Sequence, residues 1–368
     1  MRFPEFSGEW DSFKLVELGK FIGGGTPSSS NLSFWTGSIP WISSSDIKED
    51  NINNISISRY ITEDAIEKSA TKYCPAPVIL IVSRVGVGKV ALSHTSLCTS
   101  QDFCNIIDIK CHPVFLSYNL LRTMKLKSRE VQGTSIKGIT SDELQKIRVF
   151  IPKNKDEQNK ISNLLTLLDE RIATQNKIIE DLKKLKSAIS ERLFKSVKGF
   201  TVLLSDLCDI VKGKQINGEN LSDSGNYYVM NGGTEPSGYY DNYNVEASTI
   251  SISEGGNSCG YVQFNTSPFW SGGHCYSIQN IADKVDNMYL YHYLKSNEDA
   301  IMKLRIGSGL PNIQKKDLAM FKIIVPKIEW QIKISTFLSS LERKAEIEER
   351  IQNVMQKQKL YLLQQMFI

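Results

Sequence analysis

The chain repeats itself, and that repeat limits its possible folds more than any other feature. Gly133-Thr134-Ser135-Ile136 leads through Leu144 to Val149-Phe150-Ile151-Pro152, and 174 residues later Gly307-Ser308-Gly309-Leu310 leads through Leu318 to Ile323-Ile324-Val325-Pro326. Both blocks then enter a charged, Leu-rich segment in which the offset becomes 173, so that Leu168-Asp169 matches Leu341-Glu342 and Leu193-Phe194 matches Met366-Phe367. Upstream the likeness is fainter: Leu15-Val16-Glu17-Leu18 resembles Leu204-Ser205-Asp206-Leu207, and Ser100 to Cys104 falls opposite Ser271 to Cys275. Self-similarity at a fixed spacing marks a duplicated unit. The predicted order is a module at 1–153, a long helix at 154–198, a second module at 199–327 and a second long helix at 328–368.

The helices are readable in detail. Pro152 ends a strand-like run, and Asn154 with Glu157 has the spacing of a capping box. Leu165, Leu168, Ile172, Gln175, Ile179, Leu182, Lys186, Ile189 and Leu193 then alternate three and four apart, which is a heptad seam. Adding 173 gives Leu338, Leu341, Ala345, Glu348, Gln352, Met355, Lys359, Leu362 and Met366, with Ile347, Ile351 and Val354 as a competing stripe. About 40 helical residues span about 60 Å, too long for a globular core and suited to a coiled coil. Helix one carries the chain onward to the second module, so a second helix that packs on it must run back, and the pair is predicted to be antiparallel. The fold class is α/β or α+β: two tandem globular domains, each followed by a long helix.

Composition removes several classes of function. Hydrophobic residues make up 41% and charged residues 23% of the chain, ordinary values for a globular protein. No apolar run approaches a membrane span. The opening MRFPEFSGEWDSF carries three acids and no apolar core of a signal peptide, so a cytoplasmic chain is expected. The seven cysteines are odd in number and form no CxxC pair, which points to buried thiols rather than a disulfide framework or a zinc ribbon; a site built from His94, Cys98, Cys104 and Cys111 is the sharper alternative. Arg84-Val85-Gly86-Val87-Gly88-Lys89-Val90 lacks the first Gly and the final Ser or Thr of a Walker A loop and reads as a strand followed by a Gly turn. Gly23-Gly24-Gly25 lacks the third Gly and helix of a dinucleotide site. His274-Cys275 has no evident third group to orient a nucleophile.

What the modules offer instead is loops rich in hydrogen-bonding side chains, the residue types that read base edges. The fragments GGGTPSSSNLSFWTGSIPWISSSDI (23–47), ILIVSRVGVGKV (79–90), MNGGTEPSGYYDNYNVEASTISISEGGNSCGYV (230–262) and FWSGGHCY (269–276), with the block leading into each long helix, resemble the specificity subunit of type I restriction–modification systems over nearly the whole chain. The resemblance implies two target-recognition domains joined by an antiparallel coiled coil. It further implies double-stranded DNA as ligand, two adenine-methylating subunits as partners, and restriction/translocase subunits in the full complex. On this reading the chain is not an enzyme by itself. S-adenosylmethionine, ATP and Mg belong to the partners, and no cofactor or metal belongs to this chain. Each domain would read one half of an interrupted, asymmetric target while the helices set the gap and dock the methyltransferases, near Gly133 to Ile139 and Gly307 to Ile313. A coiled-coil scaffold, or an enzyme with a Cys/His site in one module, is the alternative.

Donor-rich loops beside cations nominate Thr26, Ser43, Ser44, Ser45, Lys48, Arg84 and Lys89 as the base-reading surface of the first module. Lys212, Lys214, Asn231, Thr234, Tyr239, Tyr240, Asn257 and His274 are the candidates in the second. Charge qualifies the picture. Residues 1–200 carry 28 basic and 22 acidic groups, residues 201–300 carry 4 and 12, and residues 301–368 carry 12 and 6. A self-sufficient DNA binder shows a basic footprint, and the second module does not, so partner subunits are expected to supply most phosphate contacts.

Overall fold

The computed structural model describes residues 2–131, 138–307, 309 and 311–367. It divides into two compact units, Met1–Asn176 with Ile351–Ile368, and Lys177–Arg350, so each unit takes in a segment of both long helices. Both are mixed α+β.

In the first unit, Trp10–Lys14 pairs antiparallel with Arg148–Pro152, closing the module just before the long helix. A four-stranded sheet runs in the order Lys20–Gly23, Cys104–Ile107, Val78–Ile81, Val90–Ser93. A second sheet contains one parallel pair, Ile39–Ile42 with Leu97–Thr99. The second unit repeats this plan: Phe200–Leu203 pairs with Lys322–Val325, and a sheet runs Asp209–Lys212, Cys275–Gln279, Thr249–Ser253, Val262–Asn265. Its parallel pair is Tyr227–Met230 with Trp270–Ser271. The duplication therefore extends to strand order, where the sequence likeness had faded. Val78–Ile81 is buried at every position, which is why it reads as an unbroken apolar run rather than an alternating one.

Among the described residues the helices of ten residues or more are α1 (Pro113–Val131), α2 (Lys155–Ser196), α3 (Asn287–Ser296) and α4 (Ile328–Met366). The Asn154 carboxamide accepts from the Asp156 amide at 2.8 Å and caps α2. Glu157 does not complete the expected box. It is drawn into the module, where Arg2 Nε donates to it at 2.6 Å and Trp10 Nε1 at 3.2 Å, because a buried carboxylate needs charged and hydrogen-bonding partners. At the next position, duplicated glutamines brace each helix to its module. Gln158 Nε2 donates to Pro152 O at 2.8 Å and its Oε1 accepts from His112 N at 3.0 Å. Gln331 Nε2 donates to Pro326 O at 2.9 Å and its Oε1 accepts from Asp286 N at 2.9 Å.

The two helices run antiparallel wherever they meet. In the first unit Asn176 bonds Gln352 and Asp169 bonds Lys359; in the second Lys183 meets Glu349 at 2.6 Å and Lys186 meets Glu342 at 2.5 Å. Leu165, Ile172, Gln175 and Ile179 are buried, and Leu168, Leu182, Lys186, Ile189 and Leu193 half-buried. On α4, Leu338, Met355, Lys359 and Met366 are buried, and Leu341, Ala345, Glu348, Gln352 and Leu362 half-buried, whereas Ile347, Ile351 and Val354 are exposed. Each helix ends inside a core. Phe194 packs 5.7 Å from Tyr289 and 5.2 Å from Tyr293, and Phe367 packs 5.2 Å from Phe115 and 6.5 Å from Trp10. No helix among the described residues is long and apolar enough to cross a membrane.

Candidate nucleic-acid interface

Backbone geometry decides whether the glycine loops can hold a phosphate. Such a cradle needs free backbone amides at a helix N-terminus. The Gly24 amide donates to Phe103 O at 3.3 Å and the Gly25 amide to Thr99 O at 2.8 Å, and the next element along the chain is a 3-10 turn, Leu32–Trp35. Gly25 is packed so closely against the Ala70–Thr71 backbone that a side chain there would collide with it. The second loop connects strand Val78–Ile81 to strand Val90–Ser93, with Gly86 and Gly88 at φ +85° and +109°, so it is a hairpin turn.

The cysteines are packing groups. Cys98 sits in the small core around Trp41, and Cys104 in the large core of the first unit. Burial pushes the Cys98 and Cys111 thiols up to about 12. Among the described residues no three His, Cys, Asp or Glu side chains group as metal ligands would. Cys275 is buried and its thiol is pushed up to about 11, while the neighbouring His274 is exposed and turned to Glu254. A thiol held that far above neutral pH is a poor nucleophile.

In the first unit the structure gathers Ser43, Ser44, Ser45 and Lys89. Ser43 caps the turn Ser44–Asp46: its amide donates to Asp46 Oδ2 at 2.7 Å and its Oγ lies 2.8 Å from Ser45 Oγ. Lys89 Nζ donates to Ser44 O at 3.2 Å. The turn is clamped by Arg59, which donates to Ser43 Oγ at 2.7 Å, pairs with Asp46 and stacks 4.5 Å over the Trp41 ring. Arg59 is a functional candidate that the sequence reading missed, because its stack on Trp41 exists only once strand Arg59–Ile61 pairs with Ile39–Ile42. Arg84 stands apart and exposed, on an open cleft that also takes in Gly23, Gln101 and Thr140. Thr26 reaches this edge through its hydrogen bond to Gln101. Lys48 is exposed just beyond the clamped turn.

In the second unit the structure gathers Lys212, Asn231 and His274 around a residue not singled out from sequence, Glu254. Lys212 Nζ donates to Glu254 Oε1 at 2.6 Å, Tyr276 OH donates to the same oxygen at 3.0 Å, and His274 Nδ1 lies 3.7 Å from Oε2. Asn231 Oδ1 accepts from the His274 amide at 3.1 Å. Lys212 is therefore neutralised within the unit. Lys214 is exposed; its carbonyl accepts from Trp270 Nε1 at 2.8 Å, and Trp270 meets Tyr240 edge-on at 5.1 Å. Tyr239 pairs in the sheet with Tyr228. Thr234 and Asn257 are exposed on two other loops. Of the expected docking segments, residues 133–137, 308 and 310 lie outside the described residues.

The comparisons with known proteins agree on one family. The profile described as "Type I restriction modification DNA specificity domain" matches residues 7–184 and again residues 199–357. The chain is 33% identical over 197 residues to the type I restriction enzyme MjaIX specificity subunit of Methanocaldococcus jannaschii, covering 51% of this chain and 43% of that one. It is 34% identical over 192 residues to the type I restriction enzyme EcoR124I/EcoR124II specificity subunit of Escherichia coli, covering 50% and 46%. The matches thus span a little under half the length of these two curated relatives. In fold it is similar to the type I restriction–modification S subunit of M. genitalium, with a TM-score of 0.66 over 100% of this chain and 99% of that one at 18% identity.

Proposed function

Because this chain belongs to the type I restriction–modification DNA specificity family, we propose that it is the DNA-recognition subunit of such a complex. Each module reads one half of an interrupted, asymmetric target in double-stranded DNA. The paired helices set the gap and, with the block before each helix, seat two methyltransferase subunits. Restriction/translocase subunits join them in the full complex. The chain does no chemistry alone: S-adenosylmethionine, ATP and Mg act in the partners. The complex works in the cytoplasm.

One observation carries the reading. The two modules share a strand order but present different side chains on it, Arg59, Ser43 and Trp41 in one and Glu254, Lys212 and His274 in the other. One scaffold bearing two unlike polar surfaces suits two unlike half-sites, and duplicated helical segments suit two copies of one partner. The acidic balance of residues 201–300 supports weak DNA binding by the isolated chain, with partners supplying most phosphate contacts.

The test is substitution of Arg84, Lys89, Lys214 and Asn257 together by Ala, with the methylation motif read from genomic DNA. A lost base contact costs about 1–3 kcal/mol and relaxes one motif position. An unchanged motif at unchanged strength places base reading elsewhere. Robust methyl transfer by the purified chain alone would overturn the non-catalytic assignment.

A further inference from the structure

Three residues of the first copy, Tyr118, Asp169 and Lys186, have counterparts 173 positions on: Tyr291, Glu342 and Lys359. The structure joins them crosswise. In the first unit Tyr118 OH donates to Asp169 Oδ2 at 2.7 Å, while Lys359 Nζ donates to Asp169 Oδ1 and to the Asp50 carbonyl. In the second unit Tyr291 OH donates to Glu342 Oε1 at 3.2 Å, and Lys186 Nζ donates to the same oxygen at 2.5 Å. The carboxylate of each helix thus meets the lysine of the other, under a tyrosine from the adjoining module.

These pairs sit within seams that are otherwise largely apolar. Leu165 and Leu168 share a hydrophobic core with Leu362 and Met366, and such side chains pack acceptably in more than one register. The Asp169 and Lys359 side chains are each 4% exposed, and burial pushes the Asp169 carboxyl up against the pull of the ammonium. A buried ion pair is a poor source of net stability, but stranding one of its members is costly, and register is the best-attested use of such groups. Spacing sharpens this. Seventeen residues separate Asp169 from Lys186, and seventeen separate Glu342 from Lys359. Both pairs can close together only in one antiparallel alignment. A slip of one heptad, about 10 Å, opens both. A parallel pairing in equivalent register would set Asp169 against Glu342 and Lys186 against Lys359, like charge on like.

We propose that Asp169–Lys359 and Glu342–Lys186, each with its tyrosine, are positioning residues: a matched pair of locks that fixes the register of α2 against α4. The consequence for DNA, that the locks hold the gap between half-sites to one value, rests on the function proposed above.

Cysteines placed at Asn176 and Gln352, which bond each other, report the native register in the full-length chain. Cysteines at Asn176 and Ala345 report a one-heptad slip. In the first pair's background, Asp169→Lys alone lowers cross-link yield about tenfold or more, and adding Lys359→Asp restores at least half of it. Failure of the reciprocal swap to restore the cross-link overturns the lock. Since a single charge reversal can simply unfold the unit, a second variant replaces all four lock residues, Asp169, Lys186, Glu342 and Lys359, by Leu. It is expected to fold and melt no lower than the parent, yet to place at least about a tenth of its cross-linked product in the slipped pair. A folded all-Leu variant that keeps the native cross-link alone overturns the proposal. Methylation mapping with the same variant separates the two readings: slipped cross-links with an unchanged gap retain the lock and refute the ruler.

Discussion

Lengthening the paired helices by one turn is the perturbation that asks most of this account. Duplicating Glu180-Asp181-Leu182-Lys183 in α2 and the equivalent Asn353-Val354-Met355-Gln356 in α4 adds four residues to each. Each helix grows by about 6 Å and turns by roughly 40° beyond a full turn. In DNA, about 6 Å is one to two base pairs at ~3.4 Å per step along a strand, and one to two base pairs turn the duplex by roughly 35–70°. Rise and rotation therefore agree, and the gap should lengthen by one or two base pairs while both half-sites keep their bases. Because Lys186 and Lys359 advance equally, both cross-helix ion pairs still close, although a four-residue insertion locally unwinds the seam. The same insertion in α2 alone moves Lys186 a turn away from Glu342 if Asp169 stays with Lys359. Alternatively it opens the fully buried pair, at about 3–5 kcal/mol. The single-helix variant should be the less stable by that order in urea denaturation, and its methylation should fall sharply. Sequencing of methylated DNA gives the gap. An unchanged gap with retained methylation refutes the ruler, and a single-helix insertion as stable as the matched one refutes the register argument.

Three further outcomes are expected. Phe194→Ala and Phe367→Ala each empty a buried aromatic site and should cost about 3–5 kcal/mol in denaturant unfolding; a cost under about 1 kcal/mol would show that the helix ends do not belong to the cores. His292 is buried 2.9 Å from Ser339 Oγ, and burial lowers its pKa to about 4 from the ordinary 6.5. The unfolded chain binds the proton first, so stability is full above pH 6.5 and falls by roughly 3 kcal/mol as pH drops to 4; His292→Asn, the residue at the matching Asn119, should remove that part of the pH dependence, and unfolding curves at pH 7 and 4.5 showing no difference between the two proteins would contradict it. Arg59→Ala frees the Ser43–Asp46 turn and should relax one position of a single half-site by about 1–3 kcal/mol; loss of specificity at both half-sites in the methylation map would count against a local role.

The helices were the most legible part of the sequence, and the reason is physical. A seam recurring every 3.5 residues is a local pattern, and it separates Leu341 and Ala345, which face inward, from Ile347 and Val354, which do not. Partnerships across the helices were not legible, because Asp169 finds Lys359 only when two segments 190 residues apart are aligned. Strand order was hidden for the same reason, since the parallel pairing of Ile39–Ile42 with Leu97–Thr99 leaves no short-range trace. At the candidate surfaces the loop chemistry pointed to Ser43 to Ser45 and to His274. It could not show that Lys212 is neutralised by Glu254, or that Arg59 rather than Lys48 clamps the serine turn. Glu157 was misassigned because local spacing cannot weigh a cap against Arg2, an ion-pair partner 155 residues away in the chain.

DNA recognition by this chain is tested most sharply by methylated-base sequencing of DNA from cells that carry it together with the methyltransferase subunits proposed above, and from cells that lack only this chain. One interrupted, asymmetric motif with methylated adenines in both halves is expected, present with the chain and absent without it. Exchange of residues 1–153 for the first module of a relative should change one half and leave the other half as it was. A continuous motif, a motif that survives loss of the chain, or a module exchange that alters both halves at once would contradict it.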